Sequence, residues 1–154
     1  MRSRFASSFL EIITHTSSGK IYPIYALVIP FIIDKGVDIS KLGIIAFAFQ
    51  VPFYLLSKNL VKRTRPSLED GIRPLIKAPD RYSFPSGHCA SSMLFTLIIN
   101  QYTPEMTFYF IVWMTIIFIS RVSLGLHYLS DAIFGISLGL LSFYVGSILL
   151  TIFF

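Results

Sequence analysis

Charge is scarce in this chain. Only 14% of its 154 residues are Asp, Glu, Lys or Arg, against 54% hydrophobic residues and a mean hydropathy of +0.70. A soluble domain of this length seldom carries so much apolar surface, whereas a bundle solvated by lipid does. Cysteine is nearly absent as well. Cys89 stands alone, which excludes an intrachain disulfide and a thiolate metal cage. Acidic residues are few, yet the formal charge of +5 is low for a nucleic-acid binder, and the basic residues form no stripe with interleaved aromatics. No internal repeat or low-complexity tract is present. The length suits a single domain, residues 1–154, with no room for a second folded unit.

What is abundant is sequence with almost no charge. Five such stretches predict membrane spans near residues 21–33, 42–57, 86–102, 106–120 and 128–154. Most fall short of the roughly 20 apolar residues that a perpendicular helix needs, so they are expected to extend into flanking polar residues or to thin the bilayer locally. Pro23, Pro30 and Pro52 lie inside the first two, where neighbouring helices can satisfy the freed carbonyls. The expected fold is an all-α integral membrane bundle of about five transmembrane helices over residues 21–154. Residues 1–20 differ in kind. Phe5, Phe9, Ile12 and Ile13 recur at helical spacing with Arg4, Ser8, Glu11 and His15 between them, which predicts an amphipathic helix lying in the interface. Glu11 interrupts the apolar run and makes a cleaved signal peptide a poorer reading.

The one long polar connection, residues 58–85, carries Lys58, Lys62, Arg63, Arg65, Arg73, Lys77 and Arg81 against Glu69, Asp70 and Asp80. Lys62, Arg63, Lys77 and Arg81, taken singly, read as a solvated juxtamembrane loop attracted to anionic headgroups. Lys58 and Arg65 read differently. They lie seven positions apart, nearly two helical turns, so both can face one way at the end of the second span. A guanidinium offers a planar fork to two phosphate oxygens, and an ammonium offers a mobile point charge. Pro66 is expected to stop the helix.

Pro85–Ser86–Gly87–His88 follows. Ser86 is a natural N-cap, and Gly87 lets backbone approach a ligand closely. Exposed N–H groups at a helix start form an anion site, with His88 one turn inside it. A capped helix with a core histidine explains the same four residues equally well. The third pattern is Ser120–Arg121, then His127, then Asp131. Four positions apart on a helix, His127 and Asp131 share a face. A carboxylate accepting from one imidazole nitrogen fixes the tautomer and frees the other nitrogen to attack. Helix–helix glue or a pair of metal ligands are the alternatives, but no other His, Cys or acidic residue is grouped nearby to complete a coordination shell. Ionisable residues at a membrane boundary are costly, and function is their default explanation.

Topology unites the three patterns. With five spans, the ends that carry Lys58, Ser86, Arg121 and His127 all fall on one side of the membrane. Chance matches would scatter over both faces.

Written as K-x6-R-P, P-S-G-H and S-R-x5-H-x3-D, the three patterns resemble the signature of the type 2 phosphatidic acid phosphatase family without a substitution. The resemblance runs from about Leu42 to the C-terminus. Family members commonly have six spans, so the chain looks like a minimal version. The resemblance implies a two-step hydrolysis with no metal and no other cofactor. His127 would be the nucleophile that forms a phosphohistidine, oriented by Asp131. His88 would protonate the leaving group and later activate water. Lys58, Arg65, Ser86, Gly87 and Arg121 would hold the phosphoryl oxygens.

The implied partners are the bilayer and a phosphorylated membrane lipid, with no nucleic acid and no obligatory protein partner. Undecaprenyl pyrophosphate, phosphatidylglycerophosphate, phosphatidic acid and lipid A 1-phosphate are all compatible, and an envelope lipid is the first expectation. Three rivals stand beside a lipid phosphatase: a lipid phosphotransferase using the same phosphohistidine, a vanadium haloperoxidase, and a non-catalytic binder of anionic lipid. The haloperoxidases are soluble and fit these apolar spans poorly. The resemblance places the protein in a bacterial inner membrane with its site on the extracytoplasmic face. The positive-inside rule points the other way, because the catalytic side carries almost all the Lys and Arg.

Overall fold

A computed structural model describes residues 4–69 and 80–153, and within residues 4–9 and at Glu69 it describes the backbone alone. The expected side chains of Arg4, Phe5, Ser8 and Phe9, together with Asp70, Arg73 and Lys77, therefore lie outside the described residues. Among the described residues seven α-helices run in order: α1 Arg4–His15, α2 Tyr22–Val28, α3 Gly36–Val61, α4 Pro66–Glu69, α5 Gly87–Tyr102, α6 Thr107–Ser123 and α7 Leu129–Phe153. Among the described residues there is no strand.

Among the described residues three helical segments are long and apolar enough to cross a membrane: Gly36–Leu68, Pro104–Ser123 and Leu129–Phe153. Their outward residues are lipid-compatible, with Ile44, Leu55, Phe108, Ile119, Ile133 and Ile148 exposed. The first of the five expected stretches is short. That stretch becomes the seven-residue α2 and a 3-10 turn, Ile29–Phe31, with Pro30 in the first turn of the latter. At 1.5 Å per residue, the ten residues from Tyr22 to Phe31 reach only ~15 Å, about half the hydrocarbon thickness. The 16-residue α5 is also short, but it is the inner helix and packs on α3, α6 and α7.

Close backbone approach decides where α5 starts relative to α7. A Cβ at Gly135 would lie 2.5 Å from the Ser86 carbonyl oxygen, and one at Gly146 would lie 2.7 Å from Ala46 Cβ on α3. With Gly139 and Ser142 they make a small-residue stripe down α7, the usual device for close helix contact in lipid. The Ser86 N–H then reaches the Asp131 carbonyl at 3.0 Å, which ties the two helix starts together.

The end of α3 differs from expectation. Pro66 does not stop it; the helix closes at Val61 with Lys62 in the left-handed region (φ +48°), its N–H bonded to the Lys58 carbonyl. Pro66 instead opens α4, a position for which its fixed φ is suited. Below the site, Leu42, Ala46, Leu94, Ile98 and Ile99 form the main buried core. Helix α1 exists as expected, but it is more than a surface element. It packs on α6, Trp113 donates to Thr16 Oγ1 at 2.8 Å, and Thr14 and Ser17 are buried.

Candidate active site

Four helix ends meet at one end of the bundle: the C-termini of α3 and α6 and the N-termini of α5 and α7. They enclose a cavity of about 500 Å³ whose walls include Lys58, Arg65, Gly87, His88, Arg121 and His127. Residues that were far apart along the chain thus share one chamber. Ser86 and Asp131 do not line it. Ser86 is wholly buried as the N-cap of α5, accepting from Cys89 N at 3.5 Å, and Asp131 lies behind His127.

His127 sits in the short loop between α6 and α7 rather than on a helix. Its backbone N–H, with that of Leu126, bonds to the Arg121 carbonyl. Nδ1 stands 2.6 Å from the carbonyl oxygen of Ser83. A carbonyl can only accept, so Nδ1 carries the proton and the lone pair resides on Nε2. Nε2 faces Arg65 Nη1 and Arg121 Nη2, each at 3.4 Å. The residue is 3% exposed. Burial, followed by the charges of Arg121 and Arg65, holds its pKa well below the ordinary histidine range, and the bond to Ser83 only partly opposes this. The ring is therefore neutral at neutral pH, with its Nε2 electron pair accepting from two guanidiniums.

Asp131 departs from its expected role. Its Oδ2 stands 4.0 Å from His127 Nδ1, beyond hydrogen-bond reach, and accepts instead from the Tyr128 N–H at 3.0 Å. Its Oδ1 pairs with Arg63 Nη1 at 2.9 Å. The reason is local: α7 begins only at Leu129, so the carboxylate caps the first turn of its own helix while the backbone of residue 83 takes the imidazole. Arg63, expected to be a solvated loop residue, is a clamp. It also donates to Ser130 Oγ at 2.7 Å and lies over the Tyr128 ring at 3.8 Å, while its carbonyl receives the Ser83 N–H at 2.8 Å.

The cationic rim is occupied from within. Asp80 Oδ2 lies 2.5 Å from Lys58 Nζ, and Oδ1 lies 2.6 Å from Arg65 Nη2. Tyr54, one turn before Lys58 on α3, adds its hydroxyl to the same carboxylate at 3.2 Å. Burial alone would raise the Asp80 pKa, but the hydrogen bonds and charges of Lys58 and Arg65 outweigh it, and the carboxyl is held below its usual value. An anion thus sits where an anionic ligand would be held. Arg65 further donates to the Leu126 carbonyl at 2.6 Å, and Arg121 to Thr14 Oγ1 at 3.3 Å. Ser17 of the α1–α2 turn donates to the His88 carbonyl at 3.0 Å.

Sequence reasoning missed Asp80, Ser83, Arg63, Tyr54, Thr14 and Ser17. Only Tyr54 left a signal, its four-residue spacing from Lys58 on one helix.

Comparison with known proteins gives the family and the fold. The model of the PAP2 superfamily matches residues 41–152. A curated relative, a decaprenylphosphoryl-5-phosphoribose phosphatase of Mycobacterium tuberculosis, is 34% identical over 89 residues. That match covers 55% of this chain and 46% of the relative, so the chain spans less than half the length of the curated relatives it matches. Among solved structures, the transmembrane PAP2 type phosphatidylglycerolphosphate phosphatase from Bacillus subtilis superposes with a TM-score of 0.75 at 22% identity. The superposition covers all of this chain and 81% of that one. Aquifex aeolicus LpxE superposes with a TM-score of 0.76 at 19% identity, covering 94% of this chain and 87% of that one. At such identities the two structures establish the fold alone.

Proposed function

Because this chain belongs to the PAP2 superfamily, we propose that it hydrolyses a phosphate monoester or pyrophosphate on a membrane lipid, through a phosphohistidine on His127. One observation carries the reading: the unprotonated Nε2 of a neutral imidazole lies between two guanidiniums that donate to it, in a chamber that also holds His88 and Lys58. Arg65, Arg121 and Lys58 take the phosphoryl oxygens, with the N–H groups at the start of α5 beside them. The Nε2 pair bonds to phosphorus as the bond to the lipid oxygen breaks, and His88 gives that oxygen a proton. Water then attacks phosphorus, its proton passes to His88, and the nitrogen–phosphorus bond breaks to free inorganic phosphate. The charge that develops on His127 is met by the Ser83 carbonyl and, at 4.0 Å, by Asp131.

An envelope lipid remains the favoured substrate, in a bacterial inner membrane with the site on the extracytoplasmic face.

The test is a panel of purified lipid phosphates in detergent with chelator present. Inorganic phosphate is released without an acceptor lipid, and His127→Ala lowers the rate by several orders of magnitude. Group transfer that needs an acceptor, or activity that survives His127→Ala, overturns the proposal.

A further inference from the structure

Gln50 lies two turns before Lys58 on α3, with Tyr54 between them, so the three form one stripe along the cavity wall. Eight residues correspond to ~12 Å of helix, which sets Gln50 well inside the bundle from the cationic rim. It is 3% exposed. Its Nε2 donates to Ser91 Oγ on α5 at 3.2 Å, and its Oε1 has no hydrogen-bond partner among the described residues. Turning the amide over only exchanges the two ends, so one polar end stays unpartnered either way. A buried amide left half-paired is costly, and polar side chains inside a membrane bundle serve function by default.

Its place in the chamber says which part of a substrate would meet it. Ser91 is three residues after His88 on the same face of α5, one turn further in. If His88 protonates the leaving oxygen, the atoms just beyond that oxygen lie against Gln50 and Ser91. Further on, the wall turns apolar. Val51 is shared with an adjoining cavity of about 300 Å³ lined by Ile39, Phe47 and Ile98, which suits a hydrocarbon tail. The wall therefore reads in order as phosphate, a polar patch, then hydrocarbon.

We infer that Gln50 and Ser91 form a subsite for an oxygen substituent on the leaving group, a hydroxyl, ester or ring oxygen within a few bonds of the scissile one. Glycerol-based and sugar-based lipid phosphates carry such an oxygen, and the phosphates of plain long-chain alcohols do not. The inference rests on the phosphatase reading above and narrows its substrate class. A site built to hydrogen-bond such a group discriminates against analogues that lack it more sharply than an apolar pocket discriminates by size.

The experiment compares kcat/KM for phosphatidic acid, a lipid-linked sugar 1-phosphate and farnesyl monophosphate, using the full chain in detergent. The native protein prefers at least one oxygen-bearing substrate over farnesyl monophosphate by tenfold or more, and whichever is preferred identifies the source. Gln50→Leu cuts that ratio about tenfold, and Ser91→Ala shifts it in the same direction. Ratios taken within each variant cancel any loss of folded protein. A native ratio near one, or a ratio unchanged in Ser91→Ala, overturns the subsite and leaves the phosphatase standing. If Gln50→Leu slows all substrates equally, the amide is interhelical glue and the subsite is again overturned. No phosphate release from any of the three by the native protein would remove both readings together.

Discussion

The Ser83 carbonyl oxygen lies 2.6 Å from His127 Nδ1, whereas the Asp131 carboxylate, four residues along the chain, stands 4.0 Å away. The imidazole is thus oriented by backbone, and the backbone is held in turn by the Arg63 carbonyl through the Ser83 N–H. Asp131→Asn should therefore be milder than in triads where a carboxylate fixes the tautomer and its loss costs ~10⁴ in kcat. The expected fall is about tenfold to a hundredfold, measured as initial phosphate release. A ~10⁴-fold fall would show that the carboxylate takes over the ring during turnover.

On the proposed mechanism the same ring sets the pH profile, because only a neutral ring can attack. Its pKa is depressed by burial and by Arg121 and Arg65. The acid limb of kcat/KM assigned to His127 should therefore lie below the ordinary histidine value of ~6.5. The sign for stability is the same. Between the folded and unfolded pKa the unfolded chain binds the extra proton, so the contribution of His127 is full above the unfolded value and erodes as pH falls toward the folded one. A pH series of rates and thermal midpoints in detergent checks both.

Asp80 pairs with Lys58 and Arg65, the two cations proposed to hold the phosphoryl oxygens. Asp80→Asn removes one negative charge from the rim and should strengthen competitive inhibition by inorganic phosphate about fivefold or more, the effect of ~1 kcal/mol. Weaker inhibition would make Asp80 a brace for the two cations instead of a competitor.

Packing reaches the chemistry through Gly135. A methyl there meets the Ser86 carbonyl oxygen, so α7 must move away from the start of α5. Gly135→Ala should destabilise by about 1–3 kcal/mol, as overpacking does, and lower kcat in the fraction that stays folded. A thermal midpoint and an active-site titration separate the two effects.

Orientation can be read at Arg81, which is exposed and beside the rim. An Arg81→Cys variant should react with a membrane-impermeant maleimide in intact cells, while the native Cys89 stays buried. Protection at residue 81 until the membrane is opened would place the site in the cytoplasm.

What could be read from the chain alone was whatever has a fixed spacing. The meeting of Lys58, Arg65, His88, Arg121 and His127 in one cavity was legible because the three motifs set each of them at a fixed distance from a helix end. The membrane setting was legible because apolar content is additive along a sequence. The rest depended on contacts between residues distant in sequence. Ser83 acts through a carbonyl that every residue possesses, and nothing in its identity reveals a partner 44 positions away. Asp80 looked like any acid in a polar loop until folding set it between Lys58 and Arg65. The first stretch was apolar enough for a span yet became a short α2, since hydropathy measures composition while helix length answers to prolines and neighbours. Composition and spacing thus named the chemical groups. Only close packing of α7 on α5 and α3, through residues with little or no side chain, decided which of those groups touch.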